Sequence, residues 1–142
     1  MKKIFIFTIL SVFVFTVISC AKKKTDDETM NPKLKTDPDK ELPVITYLAN
    51  LNSLYSIGAK VKINFKVTDN AKLKNVLLKV TNTTIDSVYL SKSENTTLKE
   101  LTILDSVITN LTTNMADFEV FIQAEDSTGN KATSTKGFHV MN

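Results

Sequence analysis

Chemistry needs side chains that ionise, coordinate or attack, and this 142-residue sequence offers few of them. It has one histidine, His139, and one cysteine, Cys20. A nucleophilic triad or a zinc site needs several such groups together. No catalytic motif spacing surrounds His139. It stands between Phe138 and Val140, so on a strand it points outward if they point inward. The reading is therefore of a protein that is not an enzyme. Oxygen donors are better supplied. Asp69-Asn70 and Glu125-Asp126 end two apolar segments, and Asp39 and Glu41 precede a third. Calcium takes six to eight such oxygens, many from carboxylates. No dense D-x-D run is present. A cation site would have to be assembled from separate turns. The competing role for Asp69 and Asp126 is to cap those turns by side-chain hydrogen bonds.

The elements that would position these groups are strands. In Lys60-Val61-Lys62-Ile63-Asn64-Phe65-Lys66-Val67 apolar and polar residues alternate without a slip. A period of two with β-branched residues marks a half-buried strand. Phe118, Val120, Ile122 and Ala124 repeat the pattern, and Val76, Leu78 and Val80 form a third inward set. Pro43 to Ala49 reads as a first strand and Ala132 to Val140 as a last one, with one or two more over Ile85–Leu90 and Leu98–Ile108. Leu98, Leu101, Leu104, Ile108 and Leu111 also fit helical spacing, but Thr102, Ile103, Val107 and Thr109 favour strand. Asp126-Ser127-Thr128-Gly129-Asn130 has the composition of a short hairpin loop. Gly137 inside the last strand suggests a bulge.

About seven short strands in ~100 residues predict an all-β, immunoglobulin-like antiparallel sandwich over residues 43–142. The segments Val61 to Asp69 and Phe118 to Asn130, the latter ending in a D-x-x-G-N turn, resemble bacterial immunoglobulin-like and cadherin-like domains. That topology would place the second-to-third loop, the last hairpin loop and the approach to the first strand at one end. Asp69, Asn70, Glu125 and Asp126 would gather there as calcium ligands, with Asp39 and Glu41 nearby. It would also place Leu77 and Phe121 side by side on an outer face, with Tyr89 joining them. Such a patch would serve as a contact surface for a protein or glycan partner.

The N-terminus says where the protein sits. Lys2 and Lys3 precede a nearly unbroken apolar run, Ile4 to Ile18. This is the order of a secretory signal and is short for a membrane span, which needs ~20 residues. Val17-Ile18-Ser19-Cys20 resembles the lipobox of bacterial lipoproteins. The resemblance implies a signal peptide over 1–19, acylation of Cys20, and the membrane as a partner through that lipid. Residues 20–42 read as a flexible linker: after Cys20 they hold six Lys, six Asp or Glu and few large apolar side chains. A chain of this length spans ~25 Å root-mean-square if disordered. The leader, with a Lys- and Asn-rich, Arg-free body, is similar to lipoproteins of Bacteroidota. Ala21 after the cysteine fits outer-membrane sorting. Asp26-Asp27-Glu28 resembles the acidic run that sends such proteins to the cell surface, although Lys22-Lys23-Lys24 and Thr25 intervene.

Charge narrows the partners further. Residues 43–142 carry ten Lys against nine Asp or Glu, a net +1, and no Arg. Arg is the residue that forks onto phosphates and guanine edges, so nucleic acid is not expected as a partner. Asp86-Ser87-Val88, Asp105-Ser106-Val107 and Asp126-Ser127-Thr128 resemble the acceptor of Bacteroidota O-glycosylation. The resemblance implies Ser87, Ser106 and Ser127 as modified residues. Taken together, the sequence predicts a lipid-anchored, non-catalytic envelope domain for adhesion or as an accessory subunit of a surface complex. The alternative is a carbohydrate- or small-ligand-binding module with a calcium-stabilised loop end.

Overall fold

A computed structural model describes residues 38–142. The expected signal peptide, Cys20 and the expected linker up to residue 37 lie outside the described residues. Eight strands follow in order: β1 (Val44–Tyr47), β2 (Leu54–Ser56), β3 (Lys60–Thr68), β4 (Leu73–Asn82), β5 (Ser87–Asn95), β6 (Glu100–Ile108), β7 (Met115–Asp126) and β8 (Lys131–Met141). They form two sheets, one ordered β1-β3-β6 and one ordered β2-β8-β7-β4-β5. The architecture is an immunoglobulin-like β-sandwich.

Alternation decides which side chains meet between the sheets. Val61, Ile63, Phe65 and Val67 of β3 are all buried, as are Val76, Leu78 and Val80 of β4 and Phe118, Val120, Ile122 and Ala124 of β7. An aromatic row crosses the larger sheet. Phe118 and Phe138 stack with centroids 5.0 Å apart, and Tyr55 and Tyr89 meet them edge-on at 5.3 and 5.0 Å. Such pairs add about 0.5–1.5 kcal/mol each beyond area burial. The stretch around Leu101 and Leu104 is strand, as its β-branched residues favour: β6 pairs β3 over its whole length and buries Ile103 and Val107.

Three details depart from the sequence reading. The short β2 was not foreseen; it pairs parallel to β8 and inserts Tyr55 against Phe138. Gly137 makes no bulge, and pairs in register with Glu119. Register shifts occur instead in β4, between Leu73 and Asn75 against β7 and between Val80 and Thr81 against β5.

The long edge strands carry charges turned inward, a common guard against edge-to-edge pairing. Lys92 of β5, opposite the buried Leu78, reaches Glu94 at 2.8 Å and Asp105 of β6 at 3.6 Å. These contacts raise the Lys92 pKa above its ordinary value, the hydrogen bond to Glu94 foremost.

Candidate metal centre

The antiparallel register brings the end of β3 beside the start of β1, with Val44 opposite Thr68. It also sets the β3–β4 loop beside the β7–β8 turn, with Leu73 opposite Asp126 and Ser127 donating its N–H to the Lys72 carbonyl. Three carboxylates converge at this end: Asp39 before β1, Asp69 after β3 and Asp126 closing β7. One oxygen from each lies within 4.8 Å of the other two.

Each of the three first serves its own backbone. Asp126 is fully buried. Its Oδ1 accepts the N–H groups of Thr128 and Asn130, both at 2.8 Å. Its Oδ2 accepts the Thr128 hydroxyl and the Asn130 side-chain amide, both at 2.8 Å. Gly129 supplies the positive φ, 97°, that closes this turn. Burial pushes the Asp126 carboxyl up, but the hydrogen bonds from Thr128 and Asn130 outweigh it and bring the pKa down to about 2. The group is an anion at neutral pH.

Asp69 and Asp39 use one oxygen each. Asp69 Oδ1 accepts from the Ala71 N–H at 2.8 Å. Asp39 Oδ1 accepts from the Glu41 N–H at 3.0 Å and the Asn70 side-chain amide at 3.1 Å. The remaining oxygen of each, Oδ2, is buried and has no hydrogen-bond partner. A buried acceptor left unpaired costs about 1–3 kcal/mol, and more when charged. None of the three carboxylates forms an ion pair among the described residues.

Two orphaned carboxylate oxygens and a third, buried carboxylate, all without a counter-charge, are the chemistry a hard divalent cation satisfies. The donor set fits calcium. Asp39, Asp69 and Asp126 would hold it, with carbonyl oxygens and water completing the six to eight ligands. The ion would supply charge neutralisation.

The expected ligand set is corrected at two positions. Glu125 is not part of the cluster. It precedes Asp126 on a strand and so faces the opposite side of the sheet. There Lys74 and Lys131 bind it at 2.5 and 3.2 Å. Their hydrogen bonds, Lys74 first, lower its pKa below the ordinary carboxyl value. Asn70 lies at the cluster but gives its amide N–H to Asp39, while its Oδ1 accepts from Ala71. It orients the Asp39 carboxylate. Glu41 is exposed and contributes only its backbone N–H. The residue not assigned from sequence is Asn130, whose side-chain amide also donates to the Asp39 carbonyl at 3.1 Å. It joins the last hairpin to the approach segment. The D-x-x-G-N turn contained it, but nothing local pairs it with a residue 91 positions away.

The expected apolar patch is also changed. Leu77 and Phe121 stand on the outer face of the larger sheet, as diagonal neighbours with Gln123 and Lys79 opposite them, and both are half-buried. Tyr89 does not join them. The β4–β5 register shift leaves it unpaired between Leu90 and Val88 and turns it inward against Phe118. Its hydroxyl donates to the Asn110 carbonyl at 3.0 Å. Of the three serines, Ser127 is exposed at the hairpin tip, while Ser87 and Ser106 are half-buried on strands. His139 points outward, as expected from its buried neighbours Phe138 and Val140. Its Nδ1 meets Asp117 Oδ1 at 2.5 Å, both side chains being largely exposed. They border an open hollow of about 370 Å³ that Gly137 also lines.

Neither a scan against protein-family models nor a search of curated proteins finds a match for this chain, so the site is read from its own geometry.

Proposed function

We propose that this chain is a lipid-anchored, non-catalytic domain of the bacterial cell envelope, held at the outer membrane through Cys20. Its role is adhesion or accessory service in a surface complex. The supporting observation is where the reactive side chains stand. The centre of the space between the sheets is filled by apolar side chains. The single histidine lies outside, paired with one exposed aspartate. A hydrolytic site would need a nucleophile and an oxyanion pocket beside such a pair. A protein of this kind acts by presenting surface. The test is subcellular: the protein fractionates with outer membranes, and photo-crosslinking on whole cells captures an envelope or host protein. Recovery in the soluble fraction would refute the anchored reading.

The second reading, a ligand-binding module with a calcium-stabilised loop end, gains from the convergence of Asp39, Asp69 and Asp126. The cation would stiffen the end from which the chain leaves the sandwich. Carbohydrate is the weaker part of that reading. Sugars stack on large aromatic faces. The chain has no Trp, and Tyr55 and Tyr89 are committed to the core. A glycan array with and without calcium separates the two readings. Calcium-dependent glycan retention would favour the module; no retention in either condition favours the adhesive or accessory role.

A further inference from the structure

The outer faces of the two sheets differ in charge. On the larger sheet the signs are mixed: Glu125 sits between Lys74 and Lys131, and Lys79 shares the face with Glu119. On the smaller sheet β3 turns Lys60, Lys62 and Lys66 outward in one row. Lys66 is tied to Glu100 at 3.2 Å. Among the described residues, Glu100 is the one acid that these strands turn outward on this face. Lys60 and Lys62 form no ion pair among the described residues.

Aliphatic side chains flank the lysine row on both sides. Val44 of β1 is 58% exposed, and Leu104 and Ile108 of β6 are 65% and 55% exposed. The register places Ile108 opposite Lys60 and Leu104 opposite Asn64, next to Lys62. A shallow hollow of about 250 Å³ lies between Lys60, Lys62, Leu104, Asp105 and Ser106, with the Asp105 carboxylate turned inward to Lys92. Unpaired ammonium groups above exposed aliphatics suit a partner that is anionic at one depth and apolar just below it. An anionic phospholipid surface has that profile. Lysine stems lie along apolar surface while their ammonium groups reach phosphates. Nucleic acid fits less well, since this face offers no arginine and no aromatic ring to a base.

We infer that the three-stranded face of the sandwich lies against the anionic phospholipid surface of the membrane that holds the anchor. This rests on the attachment through Cys20 proposed above. A segment of the length of residues 20–42, if disordered, spans ~25 Å, enough to let the domain turn that face down.

The test uses the full-length protein purified from membranes. It is reconstituted into vesicles of phosphatidylcholine alone, or of phosphatidylcholine with phosphatidylglycerol, and exposed briefly to an amine-reactive label. Peptide mass spectrometry reads Lys60 and Lys62 against Lys79 and Lys131 on the outer face of the other sheet. In anionic vesicles labelling of Lys60 and Lys62 falls about fivefold relative to the other pair, the bias one lysine gains beside such a surface. Added salt restores it. Equal labelling in both vesicles, with the protein floating alongside lipid, overturns the face and leaves the anchor standing. A protein that does not float overturns both.

Discussion

Adding calcium to the purified protein raises its thermal midpoint, and Asp69→Asn removes that response. One oxygen from each of Asp39, Asp69 and Asp126 lies within 4.8 Å of the others. Two unit charges at that separation repel by about 3 kcal/mol at an effective dielectric of 20, before further solvent screening. A divalent cation converts this repulsion into attraction. Sites in extracellular modules bind calcium with Kd of about 10⁻⁴–10⁻³ M. At 10 to 100 times Kd, the linkage relation gives about 1.4–2.7 kcal/mol of stabilisation. For a domain near 100 residues that is a rise of about 5–20 °C. Magnesium, which demands tighter octahedral geometry, gives less. Asp69→Asn is the informative variant because its remaining oxygen still accepts the Ala71 N–H. It removes one charge and the orphaned oxygen without removing the turn. Without calcium it is at least as stable as the parent, because a repulsive charge is gone. Differential scanning calorimetry with chelator, magnesium and calcium reads all three. A parent protein whose midpoint is the same in chelator and calcium would refute the reasoning, as would an Asp69→Asn protein with an undiminished response.

Acid provides a second perturbation. The Asp126 pKa is depressed from the ordinary 3.8 to about 2, so the unfolded chain takes up the proton first as pH falls. The resulting stability, about 2 kcal/mol, is fully present above pH ~4 and lost as pH falls through ~2. Urea titrations across that window show the loss, and Asp126→Asn, already weakened at pH 7, shows a flatter slope. Phe65→Ala costs about 3–5 kcal/mol because the ring is fully buried. Lys66→Ala next to it, on the solvent face, stays within about ±0.5 kcal/mol by chemical denaturation; equal losses would mean the strand is turned the other way. Protease added to intact cells releases the domain by cutting between Thr25 and Lys35, where the polar linker sequence favours exposed backbone. Cleavage only after lysis would put the domain on the periplasmic side and remove the adhesive role.

The sandwich was legible because strand alternation reports burial directly. Every inward residue expected on β3, β4 and β7 is in the core. The three-residue β2 was not legible, since alternation needs more residues than it has and only Tyr55 contacts the core. Tyr89 was misplaced because a one-residue register shift reverses facing, and nothing in Val88-Tyr89-Leu90 announces it. At the cation site, topology gathered Asp69 and Asp126, but period-two facing already separated Glu125 from Asp126. Asp39 joins the carboxylate cluster because Asn70 and Asn130 hold it from two loops. Such long-range hydrogen bonds leave no local trace. The same contacts tie the residues around Asp39, ahead of Pro43, to the sandwich.

The central claim is that this domain hangs from a membrane by its only cysteine. Intact mass and tandem mass spectrometry of the mature N-terminal peptide test it directly. The account predicts a peptide from the membrane fraction that begins at Cys20, with the sulfur carrying a diacylglyceryl group and Met1–Ser19 removed. Two acyl chains give stable anchoring where one gives only marginal binding. An unmodified Cys20, whether in an uncleaved chain or in soluble mature protein, would contradict it.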